Sequence, residues 1–229
     1  MDSNYGIKIW SDDNFIIEDG LAKINYDCKP SLISIVKDVR KQDFKGPLLL
    51  RFPHITEKQI NTLYNTFNAS IREYDYKGSF NAVFPLKVNQ LPNFIHPLIN
   101  CGKIFNYGLE AGSKAELVIA MTYNNIGAPI TVNGFKDKEM IHLCFIAKNM
   151  GHNITIIIEG LNELEMIIEV LNETKLVCPN IGLRVRLHSG GSGMWAKSGG
   201  INSKFGLTST EILEAYELME ENNVVNHLT

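Results

Sequence analysis

The stretch NAVFPLKVNQ, residues 81–90, ends an apolar run on a lysine. Lys87 would then stand at the end of a buried strand, where an ammonium group is costly to bury without a partner or a task. Within an apolar wall a lysine loses part of its preference for the charged form, and its amine can then form a Schiff base. The alternative is a lysine whose stem covers the apolar rim while the ammonium reaches water. From this residue alone, the alternative is favoured.

Further polar side chains follow the other predicted strands. In parallel α/β folds the functional groups gather at the carboxyl ends of the strands. The candidates at these ends are His54, Lys87, Asn89, Gln90, Glu110, Asn133, Lys136, Glu159, Arg184, Arg186 and His188. Strand ends are polar in any protein because loops contact water, so from spacing alone an ordinary polar edge is favoured, and a functional site is the alternative.

A glycine-rich segment offers a different chemistry. Residues 191–196, GSGMWA, fit the GxGxxA pattern of dinucleotide-binding folds. That pattern should open a helix, whereas Gly199 and Gly200 would stop one within a turn, so a flexible loop over the mouth of the fold is favoured. The six histidines have no metal-binding spacing and the sequence has no GxSxG elbow, so neither a metal site nor a serine hydrolase is supported.

The elements that must hold these side chains alternate along the chain. The polar and apolar residues around Glu18-Asp19-Gly20 predict a small β-hairpin. From residue 30 onward, we predict strands at 47–52, 81–88, 104–111, 129–135, 153–160 and 182–188. Between them, the 3.6-residue period and the capping residues predict helices at 31–42, 56–74, 113–124, 137–150, 161–174 and 209–222.

This alternation indicates an α/β fold with a parallel sheet. Near-continuous apolar runs such as ITIII are typical of strands covered on both faces. The choice lies between a doubly wound open sheet and a (β/α) barrel. Because an eight-stranded barrel takes ~250 residues, the barrel interpretation leaves this chain two βα units short.

Composition narrows the class of protein. The chain has 229 residues and a formal charge of −3, from 22 basic and 25 acidic residues, so it lacks the basic excess of a nucleic-acid binder. It has neither the pattern of a signal peptide nor an apolar run of the ~18 residues that a membrane span needs. We therefore expect a cytoplasmic protein with no nucleic-acid or membrane partner.

Its widely spaced cysteines are expected to be reduced, mostly buried thiols: Cys28, Cys101, Cys144 and Cys178.

Several stretches together carry a family likeness. They are YGIKIWSDDNFII, GPLLLRFPHI, YKGSFNAVFPLKVNQ, GLEAGSKAEL, ITVNGFKD and LRVRLHSGGSGMWAKSGGINSKFGL. In this order they resemble the biosynthetic arginine decarboxylases of bacteria and plants, pyridoxal-phosphate enzymes of the alanine-racemase-like barrel type, over essentially the whole chain. The related diaminopimelate and ornithine decarboxylases share the lysine strand and the SKFG element but lack the YGIKIW and LLLRFP segments in this form, so arginine is the favoured substrate.

The resemblance implies a fold and a set of site residues. The fold is an incomplete TIM-type (β/α) barrel of about six of the eight βα units, preceded by a β-hairpin, with residues 1–29 as a β segment and 30–229 as a partial barrel. Lys87 matches the lysine that forms a Schiff base with pyridoxal phosphate. Glu110 matches an acidic position of the related ornithine decarboxylases that lies beside the cofactor, and Arg184 matches an arginine of theirs that borders the same site. A magnesium requirement is implied by the family only, without candidate ligands.

The resemblance also implies a reaction. The parent enzyme would convert L-arginine to agmatine and carbon dioxide for putrescine and spermidine biosynthesis, as a homo-oligomer. The family continues past a segment like VVNHLT, so the chain resembles the N-terminal part of a longer enzyme and is expected to be inactive alone. The alternatives are a diaminopimelate- or ornithine-type decarboxylase, a non-catalytic decarboxylase-like scaffold and a nicotinamide-dependent oxidoreductase. The presence of Lys87 argues against the scaffold, because a protein that only binds partners does not need a lysine that forms a Schiff base.

Overall fold

The computed structural model describes residues 6–187 and 206–229. Contacts divide the chain into two compact units, Met1–Thr62 and Leu63–Thr229, and the division falls inside one long helix. The candidate residues Lys87, Glu110 and Arg184 all belong to the second unit.

The first unit contains the predicted hairpin. Its elements are α1 (Ile7–Trp10), β1 (Phe15–Glu18), β2 (Leu21–Ile24), α2 (Leu32–Arg40) and the start of α3 (Pro53–Glu73). β1 and β2 pair antiparallel. Asp19 and Gly20 between them have φ angles of 55° and 71°, the left-handed values that a two-residue type I′ turn requires. The Asp-Gly signal therefore predicted this turn correctly.

The predicted strand at 47–52 is wrong. These residues are described, and they form neither helix nor strand. A strand exists only where a neighbouring strand completes its backbone hydrogen bonds, and an apolar run does not supply one. Leu49 is 74% exposed, so the LLL run is not buried as the prediction required. α3 begins directly afterwards at Pro53, since proline suits the first position of a helix.

The second unit alternates strands and helices. In chain order the remaining elements among its described residues are β3 (Val83–Pro85), α4 (Pro92–Gly102), a 3₁₀ helix (Lys103–Phe105), β4 (Gly108–Ala111), α5 (Lys114–Tyr123), β5 (Pro129–Val132), α6 (Lys138–Asn149), β6 (Asn153–Ile158), α7 (Leu161–Glu173), β7 (Asn180–Leu183), α8 (Ser209–Glu221) and a 3₁₀ helix (Val225–His227). The strands form a five-stranded parallel sheet in the order β3-β4-β5-β6-β7.

This strand order separates the two candidate fold classes. Each strand is added beside the previous one, whereas a doubly wound sheet reverses direction at a switch point. Because parallel crossovers are right-handed, additions in one direction place the connecting helices on the same face of the sheet. That is the arrangement of a (β/α) barrel. The prediction of an incomplete barrel after a hairpin is confirmed, with five of the six predicted parallel strands formed in the described residues.

The strands bury one face more completely than the other. In β6, Ile154, Ile156 and Ile158 are fully buried, while the residues between them are only partly buried. This alternation is what helices packed on a single face produce. The expectation that the apolar strands are covered equally on both faces therefore does not hold for β6.

The sequence patterns did not predict α4. The helix starts at Pro92 and contains Pro97, and an internal proline removes a backbone hydrogen bond and commonly ends a helix. It forms nevertheless, because Ile95, Leu98 and Ile99 are buried and share one apolar face. Their spacing of three and four residues was the signal available in the sequence.

Gly108→Ala is expected to lower the free energy of unfolding by about 3 kcal/mol. A Cβ atom at Gly108, the first residue of β4, would overlap the backbone oxygen of Pro129 in β5. Gly112→Ala, just beyond the other end of β4, is the matched control, since its Cβ would meet Glu116 Oε2 at an ordinary 3.5 Å. We expect a loss under about 1 kcal/mol for this control. Urea unfolding measures both, and equal midpoints would contradict the close approach of the strands.

Candidate active site

Five polar candidates of the second unit lie at one edge of the sheet. Parallel strands bring their carboxyl ends to the same edge, so the ends of β3 to β7 stand in a row in the order of the sheet. Lys87 follows β3, Glu110 lies in β4, Lys136 follows β5, Glu159 follows β6 and Arg184 follows β7. The sequence therefore predicted the location of these residues, although it did not predict their contacts.

Lys87 and Glu110 lie side by side at this edge. Glu110 pairs in register with Pro85, and the Leu86 N–H donates to the Glu110 carbonyl oxygen at 3.0 Å. This ladder places Lys87 Nζ 4.0 Å from Glu110 Oε1, with the lysine side chain 70% exposed and the glutamate side chain 19% exposed. This exposure agrees with the interpretation favoured from the residue alone, in which the ammonium reaches water, and not with a lysine enclosed by an apolar wall. Lys87 instead presents an accessible amine beside a largely buried carboxylate.

Glu116 connects the loops around this pair, and it was not among the residues predicted for the site. Its Oε2 accepts the Gly112 N–H at 2.8 Å, and its Oε1 accepts the side-chain amide of Gln90 at 3.1 Å. Glu116 is at the third position of α5, and the N-cap Ser113 accepts the Glu116 N–H. The S-x-x-E spacing of a helix start was a usable signal. Glu116 thereby ties the loop after β4 to the loop that carries Lys87.

Arg184 is held at the other end of the row. Its Nη1 lies 3.0 Å from Glu159 Oε1, with the arginine side chain 48% exposed and the glutamate side chain 6% exposed. The same carboxylate oxygen accepts the Gly134 N–H at 2.9 Å. Arg184 follows β7, three strands along the sheet from Glu110 in β4. The structure thus brings Lys87 to Glu110 and Arg184 to Glu159, at separate places along one edge.

Lys136 is the buried lysine among the residues that the structure describes. Its side chain is 0% exposed, and Nζ lies 2.9 Å from Oε2 of Glu163, whose side chain is 5% exposed. Lys136 is among the polar side chains predicted at the strand ends, whereas no pattern in the sequence indicated Glu163. A buried ammonium requires a paired anion, and the partner comes from the following βα unit. No local pattern around Lys136 could have identified it.

Two buried cysteines are poor nucleophiles. Burial raises the pKa of the Cys144 thiol to about 12 and that of the Cys178 thiol to about 11. Both therefore stay protonated at neutral pH, and the thiol form is unreactive. Cys28, in the first unit, is exposed, so the expectation of mostly buried thiols does not extend to it.

One residue predicted at a strand end, His54, does not belong to this row. His54 lies in α3 within the first unit and stacks on Tyr26, with ring centroids 4.7 Å apart. His188 and the glycine-rich residues 191–196 lie outside the described residues.

Residues 6–187 and 206–229 contain no group of three or more His, Cys, Asp or Glu side chains that could hold a metal ion. The magnesium requirement implied by the resemblance therefore stays a prediction without a ligand set in this part of the chain. In the same ranges, no helix combines the length and the apolar character of a membrane span.

Residues 58–228 match the family model of the pyridoxal-dependent decarboxylase, pyridoxal binding domain. The chain belongs to the pyridoxal-dependent decarboxylase family. The matched region contains all five parallel strands together with Lys87, Glu110 and Arg184. Because it also covers the glycine-rich residues 191–196, it favours the decarboxylase interpretation of that segment over a nicotinamide-binding one.

Similar curated members of the decarboxylase family are named biosynthetic arginine decarboxylase. The protein of Prochlorococcus marinus (strain AS9601) is 37% identical over 99% of this chain, and that of Bacteroides thetaiotaomicron is 42% identical over 82%. The chain spans 36% of the length of the first protein and 30% of the second.

Solved structures of decarboxylases are similar in fold. The biosynthetic arginine decarboxylase of Campylobacter jejuni matches 99% of this chain with a TM-score of 0.89 and 57% identity, and the chain covers 36% of that protein. The diaminopimelate decarboxylase of M. jannaschii matches 91% of this chain with a TM-score of 0.64 and 22% identity, and 45% of that protein is covered. The second likeness shows a common fold only.

The strand-end residues fit the cofactor of the decarboxylase family. Pyridoxal phosphate bonds to proteins through its aldehyde and a lysine amine, and the exposed Lys87 offers such an amine. Glu110 places a carboxylate beside that amine, and Arg184 offers a partly exposed guanidinium for an anionic group. These residue types can therefore hold the group.

Lys136→Met is expected to lower the free energy of unfolding by about 4 kcal/mol, because it leaves the Glu163 carboxylate buried without a cation. Lys138→Met is the matched control: Lys138 also pairs with carboxylates, those of Glu169 and Glu173, each at 2.7 Å, but its side chain is 41% exposed. For this control we expect a loss below about 1 kcal/mol. Urea unfolding measures both changes. Similar losses of unfolding free energy in the two variants would contradict the conclusion that burial makes the Lys136–Glu163 pair matter more for stability than the exposed pairs of Lys138.

Proposed function

We propose that this chain forms the pyridoxal-phosphate-binding part of a biosynthetic arginine decarboxylase. The observation that carries the proposal is the accessible Lys87 amine, 4.0 Å from the Glu110 carboxylate at the strand-end edge. The names of the relatives at 37% and 42% identity support arginine as the substrate. The diaminopimelate decarboxylase at 22% identity supports the fold alone.

In the proposed reaction, L-arginine and one proton yield agmatine and carbon dioxide. The bond between Cα and the carboxylate breaks, carbon dioxide leaves, and Cα takes up the proton. Pyridoxal phosphate, when bound, supplies an electron sink for the pair of electrons left on Cα. Lys87 would hold the cofactor through its ε-amine.

Glu110 and Arg184 have binding roles in this proposal. The Glu110 carboxylate attracts the Lys87 ammonium and limits the positions of a long, exposed side chain. Arg184 is anchored on Glu159 through Nη1 and leaves about half of its side chain accessible. Its accessible part can therefore present a positive charge to an anionic group of the cofactor or the substrate.

The proposal includes the setting of the enzyme. We place it in polyamine biosynthesis, in the cytoplasm, as a homo-oligomer without nucleic-acid or membrane partners. We divide the chain into a β segment, 1–29, and a partial cofactor-binding barrel, 30–229. The word biosynthetic in the names of the relatives supports the pathway, and the formal charge of −3 supports the absence of nucleic acid.

Treatment of the chain with pyridoxal phosphate and then borohydride is expected to label Lys87 selectively. Reduction converts the lysine–cofactor link to a stable amine, which mass spectrometry locates after digestion. Lys87→Ala should abolish the selective label. Lys41→Ala is the matched control, since Lys41 is 76% exposed and pairs with Asp38 at 2.8 Å, and it should keep the label on Lys87. Even labelling of all exposed lysines would contradict the proposal and favour a non-catalytic scaffold.

A chimera tests the substrate. In the Campylobacter jejuni enzyme, the region that corresponds to this chain is replaced by residues 1–229, which are 57% identical to that enzyme. The chimera is expected to release carbon dioxide from L-arginine in preference to L-ornithine and meso-diaminopimelate, and Lys87→Ala should abolish the release. A folded chimera that prefers either competing amino acid would contradict the assignment of arginine.

A further inference from the structure

The buried carboxylate of Glu163 binds more than one partner. Its Oε2 accepts from Lys136 Nζ at 2.9 Å and from the Glu159 N–H at 2.9 Å, and its Oε1 accepts the Lys136 N–H at 3.3 Å. Two of these donors are backbone groups at the ends of neighbouring strands. Glu163 therefore fixes the path of the chain after β5 and after β6 at the same time.

Glu159 extends these contacts to a third strand. While its backbone N–H is held by Glu163, its Oε1 accepts from the Gly134 N–H at 2.9 Å and from Arg184 Nη1 at 3.0 Å. Lys136 Nζ also donates to the Gly134 carbonyl oxygen. The contacts thus run from the fully buried pair, through Glu159, to an arginine that is 48% exposed after β7.

Stability alone gives no reason for this arrangement. Replacement of a buried ion pair by apolar residues of similar volume is often neutral or stabilising, since the charges lose their hydration. The exposed pair of Lys138 and Glu169 has none of the backbone contacts of Glu163 among those found in the described residues. The buried pair is therefore better explained by the geometry that it imposes on the strand ends.

We infer that Glu163, neutralised by Lys136, is a positioning residue that fixes Arg184 through Glu159 for an anionic group of the ligand. This inference rests on the proposed function, in which Arg184 borders the pyridoxal phosphate site. Glu163 and Lys136 touch neither cofactor nor substrate in this arrangement. They determine where the carboxylate of Glu159 stands, and hence where the guanidinium of Arg184 is held.

The test compares wild-type 1–229 with Lys136→Met/Glu163→Leu, and with Lys138→Met/Glu169→Leu as the control for charge removal. Amide hydrogen exchange at Gly134 and Glu159 reports the strand ends, and the same measurement at Ile156 reports the body of β6. In the buried-pair variant we expect the first two amides to exchange at least about tenfold faster while Ile156 is unchanged. The control should match the wild type at all three amides.

Cofactor binding is the second readout. The concentration of pyridoxal phosphate that half-labels Lys87 is expected to rise about tenfold in the buried-pair variant and by a similar factor in Arg184→Gln. If Glu163 acts through Arg184, the combined variant shows no further rise. A combined rise of about a hundredfold would show independent effects and would overturn the inference.

The two proposals fail in different ways. Without selective labelling of Lys87 in the wild type, the proposed function is wrong, and the exchange rates at Gly134 and Glu159 alone decide the positioning role. Unchanged exchange at both amides overturns that role. If the double variant does not unfold cooperatively, Glu163→Gln takes its place: it keeps the size of the side chain and one acceptor oxygen, and faster exchange at Gly134 and Glu159 is again expected.

Discussion

Parallel pairing of consecutive strands is the constraint on which the rest of this structure depends. Each strand joins the sheet beside its predecessor, so the carboxyl ends stand in chain order along one edge, and each following helix starts at that edge. Two of the strand-to-helix loops are short: β4 ends at Ala111 and α5 starts at Lys114, while β6 ends at Ile158 and α7 starts at Leu161. A glutamate in the first turn of a helix can therefore reach back to the end of the preceding strand.

This geometry gives similar residues different environments. Lys87 and Lys136 both follow a strand, yet one side chain is 70% exposed and the other is 0% exposed. Glu116 and Glu163 both occupy the third position of a helix and both accept a backbone N–H from the residue before the N-cap. The first joins the loops around Lys87, and the second supports the arginine end of the row. Residue type and strand position are shared, so the environment comes from contacts between βα units.

Local signals in the sequence predicted what local forces determine. The Asp19-Gly20 turn follows from the left-handed φ angles that this dipeptide tolerates, and the period of apolar residues indicated most of the helices. The failures depend on distant residues. The run at 47–52 has apolar residues but no strand beside it, and α4 tolerates Pro97 because three buried side chains hold it. The pairing of Lys136 with Glu163 joins residues 27 positions apart, which no short motif encodes.

In the buried pair of Lys136 and Glu163 it matters which position carries the lysine and which the glutamate, whereas in the surface pair of Lys138 and Glu169 it does not. A chain with glutamate at 136 and lysine at 163 would keep the net charge and the attraction between the two side chains. An ammonium group is a donor only, however, so the backbone N–H groups of Lys136 and Glu159 would both lose their acceptor. In the described contacts, the carboxylate at position 169 accepts no backbone N–H group, so exchanging the residues at 138 and 169 would leave no such group without an acceptor. Among related chains, the order of charges should therefore be fixed at the buried pair and free to reverse at the surface pair.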